Sequence, residues 1–216
     1  MSRLRFNKIA TPATPASNKG ELFYSSTLSP AAPAWINEAG AVSRLGGGWA
    51  NAATAAVGGG FAADTYMTGT AINIGTAGAW TAGMYYVARF DMTKTAAGTA
   101  APIIIVRMGT LGSTSDAAIL TLTGQAQTGV ADTGIFEVSV TFRSIGSGTS
   151  AVIAGGYTVD HNLSTTGLTS GAQVATNVGA SSGFNSTTSN IIGVSFNGGA
   201  SFVGTNVFSS AMLNLV

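Results

Sequence analysis

From about residue 70 onward, apolar and polar side chains alternate with a period of two, and Gly, Asn, Asp and Ser turns interrupt the alternation roughly every 8 to 15 residues. In GMYYVARFDM, Met84, Tyr86, Ala88, Phe90 and Met92 share one face while Arg89 and Asp91 fall on the other. IFEVSVTFRS divides more sharply, with Phe136, Val138, Val140 and Phe142 inward and Glu137, Ser139, Thr141 and Arg143 outward. A strand with one apolar and one polar face belongs in an antiparallel sheet that packs on a core by one side. Further strands are expected at 71–75, 101–108, 117–123, 150–159, 172–178, 190–196 and 201–216, with no convincing helix of ten residues among them. This count and spacing predict an all-β chain folded as an antiparallel β-sandwich, with a jelly roll as the expected connectivity. The last run ends in Leu213 and Leu215, so an ordered C-terminal strand is expected.

Before residue 70 the pattern changes. Four of the five prolines, Pro12, Pro15, Pro30 and Pro33, lie there. Around GELFYSS a short strand would put Leu22 and Tyr24 on one side and Glu21, Phe23 and Ser25 on the other. Residues 1–45 therefore read as an extended N-terminal arm with one or two short β elements, too small to fold by itself. GGGWANAATAAVGGG sets a helix-compatible stretch between two glycine triplets, so residues 46–69 read as a Gly/Ala-rich linker or short helix. The sandwich itself is expected over 70–216.

Charge sharpens this division. Lys, Arg, Asp and Glu make up 8% of 216 residues, against roughly 25% in an ordinary soluble domain. A β-rich surface built from Gly, Ala, Ser and Thr with so few charges is poorly defended against association. Arg3, Arg5, Lys8 and Lys19 all precede the first acid, Glu21, leaving five of the nine basic side chains against all eight acids in the remainder. Such an arm suits an anionic partner, but Phe6 is the one aromatic near these charges and no basic stripe follows, so no nucleic-acid-binding domain is expected. There is no cysteine, hence no disulfide and no thiolate metal site. The lead MSRLRFNKIATPATPAS lacks the apolar stretch of a signal peptide, and no run of 18 apolar residues would form a membrane helix.

Candidate chemistry is sparse. Gly179, Ser181 and Gly183 match G-x-S-x-G, but no Asp, Glu or His follows Ser181 to complete a hydrolase triad. Asp160 and His161 are adjacent, so on a strand they point to opposite faces, and His161 is expected at a turn or on the surface, where copies meeting on a threefold axis would give an imidazole cluster. Asp64, Asp91, Asp116, Asp132, Glu137 and Asp160 are scattered, with no close pair and no calcium-loop spacing. Asp116 and Asp132 sit in STSDAA and GVADTG, where they would accept backbone N–H groups in turns. The glycine triplets lack the Lys-Ser/Thr of a phosphate loop. Trp35, Trp49 and Trp80 are expected to be buried or at subunit contacts rather than stacked on sugars. No catalytic residue, metal site or cofactor is expected.

The N-terminal TPATPASNKGELFYSSTLSPAAPAWINEAGAVSRLGG resembles the module that opens many tailed-bacteriophage virion proteins, a Pro-rich lead before a small β element and a Gly-containing turn. YYVARFDMTKTAAGTAAPIIIVRMGTLGSTSDAAILTLTG, ADTGIFEVSVTFRS and VDHNLSTTGL with the closing strand resemble the β-sandwich domain paired with it. The resemblance implies a virion structural protein, made in the host bacterial cytoplasm and displayed on the virion surface. A capsid decoration or spike subunit is the first expectation, and a tail-fibre module recognising host surface glycans is the alternative. It also implies a homotrimer, with the major capsid protein or another virion protein as a further partner. The residues expected to dock on the particle are Arg3, Arg5, Phe6, Lys8, Pro12, Pro15, Leu22, Phe23, Tyr24, Trp35 and Ile36.

Overall fold

Each strand region expected over 70–216 contains an observed strand. A computed structural model describes residues 8–9, 13, 21–25, 32–36, 42–44, 48–55 and 60–214, and it divides into two compact units, Met1–Gly48 and Trp49–Val216.

In the first unit, β1 (Lys8–Ile9), β2 (Glu21–Ser25), β3 (Ala32–Ile36) and β4 (Val42–Arg44) form one sheet in that order. The β1–β2 pair is parallel and the other two are antiparallel. The described residues of the arm thus hold four strands where one or two were expected. Pro33 fits because it pairs with Tyr24 on β2, while the β3–β4 register begins one residue later at Ala34. A residue without an N–H is tolerated where no ladder bond is required of it.

The second unit begins earlier than expected. Trp49–Ala53, read from the sequence as linker or helix, is strand β5, pairing with the C-terminal strand over Leu213↔Trp49 to Ser209↔Ala53. The partner is remote in sequence, and no local alternation marks WANAA as a strand. The remaining strands are β6 (Thr65–Tyr66), β7 (Ile72–Asn73), β8 (Tyr85–Lys94), β9 (Ile103–Gly109), β10 (Ala117–Thr123), β11 (Asp132–Ser144), β12 (Val152–His161), β13 (Val174–Ala180), β14 (Ile191–Asn197), β15 (Gly204–Thr205) and β16 (Ser209–Asn214). One sheet of seven strands runs β13-β12-β11-β8-β16-β5 with β15 on β8. The other runs β10-β9-β14, with β6 and β7 both on β14. All these pairs are antiparallel. The two sheets pack together as a β-sandwich. The β9–β10 hairpin and the β11–β12–β13 meander each stay within one sheet, so the strand order establishes a sandwich without establishing jelly-roll connectivity.

Alternation placed the core correctly. Met84, Tyr86, Ala88, Phe90, Met92, Phe136, Val138, Val140 and Phe142 are all buried. Phe90 and Phe136 are direct cross-strand neighbours and stack with ring centroids 5.1 Å apart. From the opposite sheet Phe196 meets both edge-on at 5.8 and 5.3 Å, and also contacts Phe61 and Phe202. These offset and edge geometries align positive ring edges with negative faces. Trp80 is buried as expected, stacked on Phe142 at 5.1 Å, and its indole N–H donates to the Ser189 carbonyl at 2.8 Å. Trp49 packs half-buried against the core edge.

Three buried phenols set an alkaline limit. Burial raises Tyr66, Tyr86 and Tyr157 above their ordinary 10.0; Asp116 adds to the effect at Tyr66, and Tyr86 donates to the Thr70 carbonyl at 2.7 Å. Below pH 10 these groups are neutral folded or unfolded and their contribution is intact. As pH rises past 10 the unfolded chain ionises first, so stability falls until the folded values are reached. Denaturant titrations should therefore show the unfolding midpoint dropping above pH 10, with phenolate absorbance from these three tyrosines developing only as the chain unfolds.

Candidate functional site

Of the residues expected to dock, Arg3, Arg5, Phe6, Pro12 and Pro15 lie outside the described residues. The others occupy the first sheet. Lys8 stands opposite Tyr24 across β1–β2, Leu22 opposite Trp35 across β2–β3, Phe23 opposite Ala34, and Glu21 opposite Ile36. Backbone pairing thus gathers Lys8, Leu22, Phe23, Tyr24, Trp35 and Ile36 into one small sheet. Leu22 is 42% exposed, a large apolar side chain left open to solvent.

Within the sandwich, the densest polar cluster is one the sequence reading misplaced. His161, expected at a turn or surface, is 2% exposed and faces the interior at the end of β12. Gly134 stands across from it, where a Cβ would come within 2.7 Å of the His161 Cβ, so the absence of a side chain on β11 makes room for the imidazole. Nδ1 lies 2.6 Å from Asp132 Oδ2, and Nε2 lies 2.9 Å from Thr169 Oγ1 and 2.8 Å from the Ala172 carbonyl. The set Asp–His–Thr has the membership of a nucleophilic triad, but its polarity is wrong. The Thr169 hydroxyl donates to the Ala172 carbonyl at 2.6 Å, so its hydrogen is directed at that oxygen and not at the imidazole. A hydroxyl whose hydrogen is already given to a carbonyl is not set to lose it to Nε2.

The cluster instead fastens the loop between β12 and β13. Asp132, on β11 rather than in a turn, accepts from the Leu168 N–H at 3.0 Å and the Thr133 N–H at 2.8 Å. Beside it Lys94, Asp132's direct neighbour on β8, turns inward and donates to the Thr128 and Val130 carbonyls. Burial lowers the Lys94 ammonium from its ordinary 10.5, and the nearby Asp132 carboxylate opposes that shift. The three groups tie the loops at one end of the sandwich to β8, β11 and β12 by hydrogen bonds of their buried side chains.

The other expected sites resolve as structural. Ser181 Oγ accepts from the Ile153 N–H at 3.1 Å, which fixes it to β12. Asp116 does accept backbone N–H groups in a turn, from Thr110, Leu111, Gly112 and Ser113 at 2.7–3.3 Å. Arg107 donates from Nε to Ser195 at 2.8 Å, from Nη1 to the Asp116 carbonyl at 2.7 Å, and from Nη2 to Asp64. Among the described residues no group of three His, Asp or Glu side chains is placed to hold a metal ion, and no helix is long and apolar enough to cross a membrane.

The fold and these clusters define a two-sheet, all-β sandwich that follows a small separate β unit in the sequence. No protein-family model matches the chain, and no curated protein matches it.

Proposed function

We propose that the chain is a structural subunit of a tailed-phage particle, a capsid decoration protein that docks through residues 1–48 and displays the sandwich at the virion surface, with further copies of the chain and a capsid protein as partners. The observation that carries this reading is the division at Gly48/Trp49. All the expected docking residues fall in the first unit, together with four of the nine basic side chains ahead of the first acid. In the second unit Lys94, Asp116, Asp132 and His161 are occupied with holding loops. A small sheet with an exposed Leu22 and backbone edges at β1 and β4 is suited to adding strands to a neighbouring protein's sheet.

Removal of residues 2–20 tests the reading directly. The truncated chain should keep the thermal transition of the sandwich but fail to co-sediment with undecorated capsids, while the full chain binds them in a saturable amount. Binding that survives the truncation would defeat the docking role of the N-terminal lead. A full chain that never binds capsids but binds immobilised host glycans would transfer the protein to the tail.

A further inference from the structure

The sequence holds a single Asn-Gly pair, Asn197–Gly198. Glycine puts no side chain in the way, so the amide nitrogen after such an asparagine can reach its side-chain carbonyl carbon, the step that begins spontaneous deamidation. The fold places this pair at the end of β14 and meets the two requirements of the reaction unequally. The electrophile is set up. Asn197 is half-buried, and its Oδ1 accepts from the Gly199 N–H at 2.8 Å, a bond that would steady an oxyanion forming on that oxygen. The nucleophile is withheld, because Gly198 is buried and its N–H donates to the Phe61 carbonyl at 2.7 Å.

Phe61 occupies that place against its own preference. Its φ of 56° is a left-handed backbone that a bulky residue rarely adopts. Its ring is nevertheless buried, edge-on to Phe196 with centroids 6.1 Å apart. The core contact holds the strained residue, and the strained residue presents its carbonyl to Gly198. The turn beyond is equally confined. A Cβ on Gly198 would overlap the Phe202 ring, and one on Gly199 would lie 2.5 Å from the Ala100 Cβ. The Gly198 carbonyl in turn accepts from Gln127 Nε2 at 3.0 Å. For the ring of the intermediate to close, the Gly198 nitrogen must lose its hydrogen and move onto Asn197 Cγ, which breaks the bond to Phe61.

We propose that Asn197 is a self-modification site that the folded chain holds shut through Phe61 and that an unfolded chain leaves open. There the Gly198 nitrogen gives its proton to solvent and bonds to Asn197 Cγ, and the side-chain nitrogen leaves as ammonia. Water then opens the cyclic imide at either carbonyl, giving aspartate or isoaspartate, with no oxidant or reductant. Isoaspartate lengthens the main chain and adds a carboxylate next to the packed Gly198–Phe202 contact, which has room for neither. Prolonged unfolding thereby becomes irreversible. The site lies wholly in the second unit and stands independently of particle docking.

The test incubates the full chain at mildly alkaline pH, native and in guanidinium, and scores the amide-to-carboxyl mass gain at Asn197 by peptide mapping. The native chain should convert at least about ten-fold more slowly, since the site reacts only from its opened fraction. Asn185 reports global unfolding, because the Ser186 N–H that follows it is likewise held, by the Gly146 carbonyl at 2.9 Å. Phe61→Gly suits the left-handed backbone but removes the ring that fixes it, and should speed conversion at Asn197 without speeding it at Asn185. On dilution from guanidinium, chains carrying isoaspartate should stay out of the native fraction. Equal rates in native and denatured chains would overturn the proposal. So would equal acceleration of both asparagines by Phe61→Gly, or isoaspartate chains recovered in the native fraction.

Discussion

Phe196→Ala is expected to lower the unfolding free energy by about 3–5 kcal/mol, a large part of the roughly 5–15 kcal/mol that holds a domain folded. The ring is fully buried and touches Phe61, Phe90, Phe136 and Phe202, so it joins the β14 sheet to the β8–β11 pair and to the loop before β15. Its removal leaves four rings with a shared void that a rigid two-sheet frame cannot collapse to fill. Urea titration followed by near-ultraviolet circular dichroism should show the midpoint falling at unchanged slope. Leu111→Ala, 66% exposed on a turn, is the control and should move it by less than about 0.5 kcal/mol. Equal effects at the two positions would mean that the aromatic cluster is not the centre of the core.

The second large effect is at Asp132. Asp132→Ala removes the acceptor for the buried His161 ring and Leu168 amide and for the part-buried Thr133 amide. Each buried donor left without an acceptor costs about 1–3 kcal/mol, and the His161 ring and the Leu168 amide both lose theirs. Here the loss should be local before it is global. The Leu168 amide and the rest of the 162–173 loop should exchange hydrogen much faster than β11 and β12, which keep their ladder. His161→Ala combined with Asp132→Ala should cost less than the sum of the two single changes, since each single change strands the other group. Strict additivity in that cycle would contradict the hydrogen-bonded pairing.

The core was legible in the sequence because both of its main strands alternate without a break. The misplacement of His161 came from abandoning that same rule too early. Ile153, Tyr157, Val159 and His161 share one parity along β12, as Asp132, Gly134 and Phe136 do along β11 and Phe90, Met92 and Lys94 along β8. Carrying the period of two through to the polar residues puts Lys94, Asp132 and His161 at the same inner end of the sandwich. The adjacency of Asp160 and His161 was read correctly, since Asp160 is exposed and His161 is buried. Strand β5 had no such signal. WANAA has no alternation, and only pairing with residues at the far end of the chain makes it a strand. The exposure of Val174 and Val178 was hidden for a related reason: β13 places them outward and Asn177 and Gly179 on the other side, inverting the usual pattern.

The position of β16 between β8 and β5 governs how the sandwich can be built during synthesis. A chain emerging from the ribosome produces β5 before any other strand of this unit, yet β16, its neighbour among the described strands, comes after every other one. Until residues 209–214 have emerged, β5 and the flank of β8 remain unmatched, so the nascent unit carries open hydrogen-bonding edges while all its other strands are made. A premature stop or a frameshift before Ser209 would then yield a protein whose β8 flank invites strands from other nascent chains.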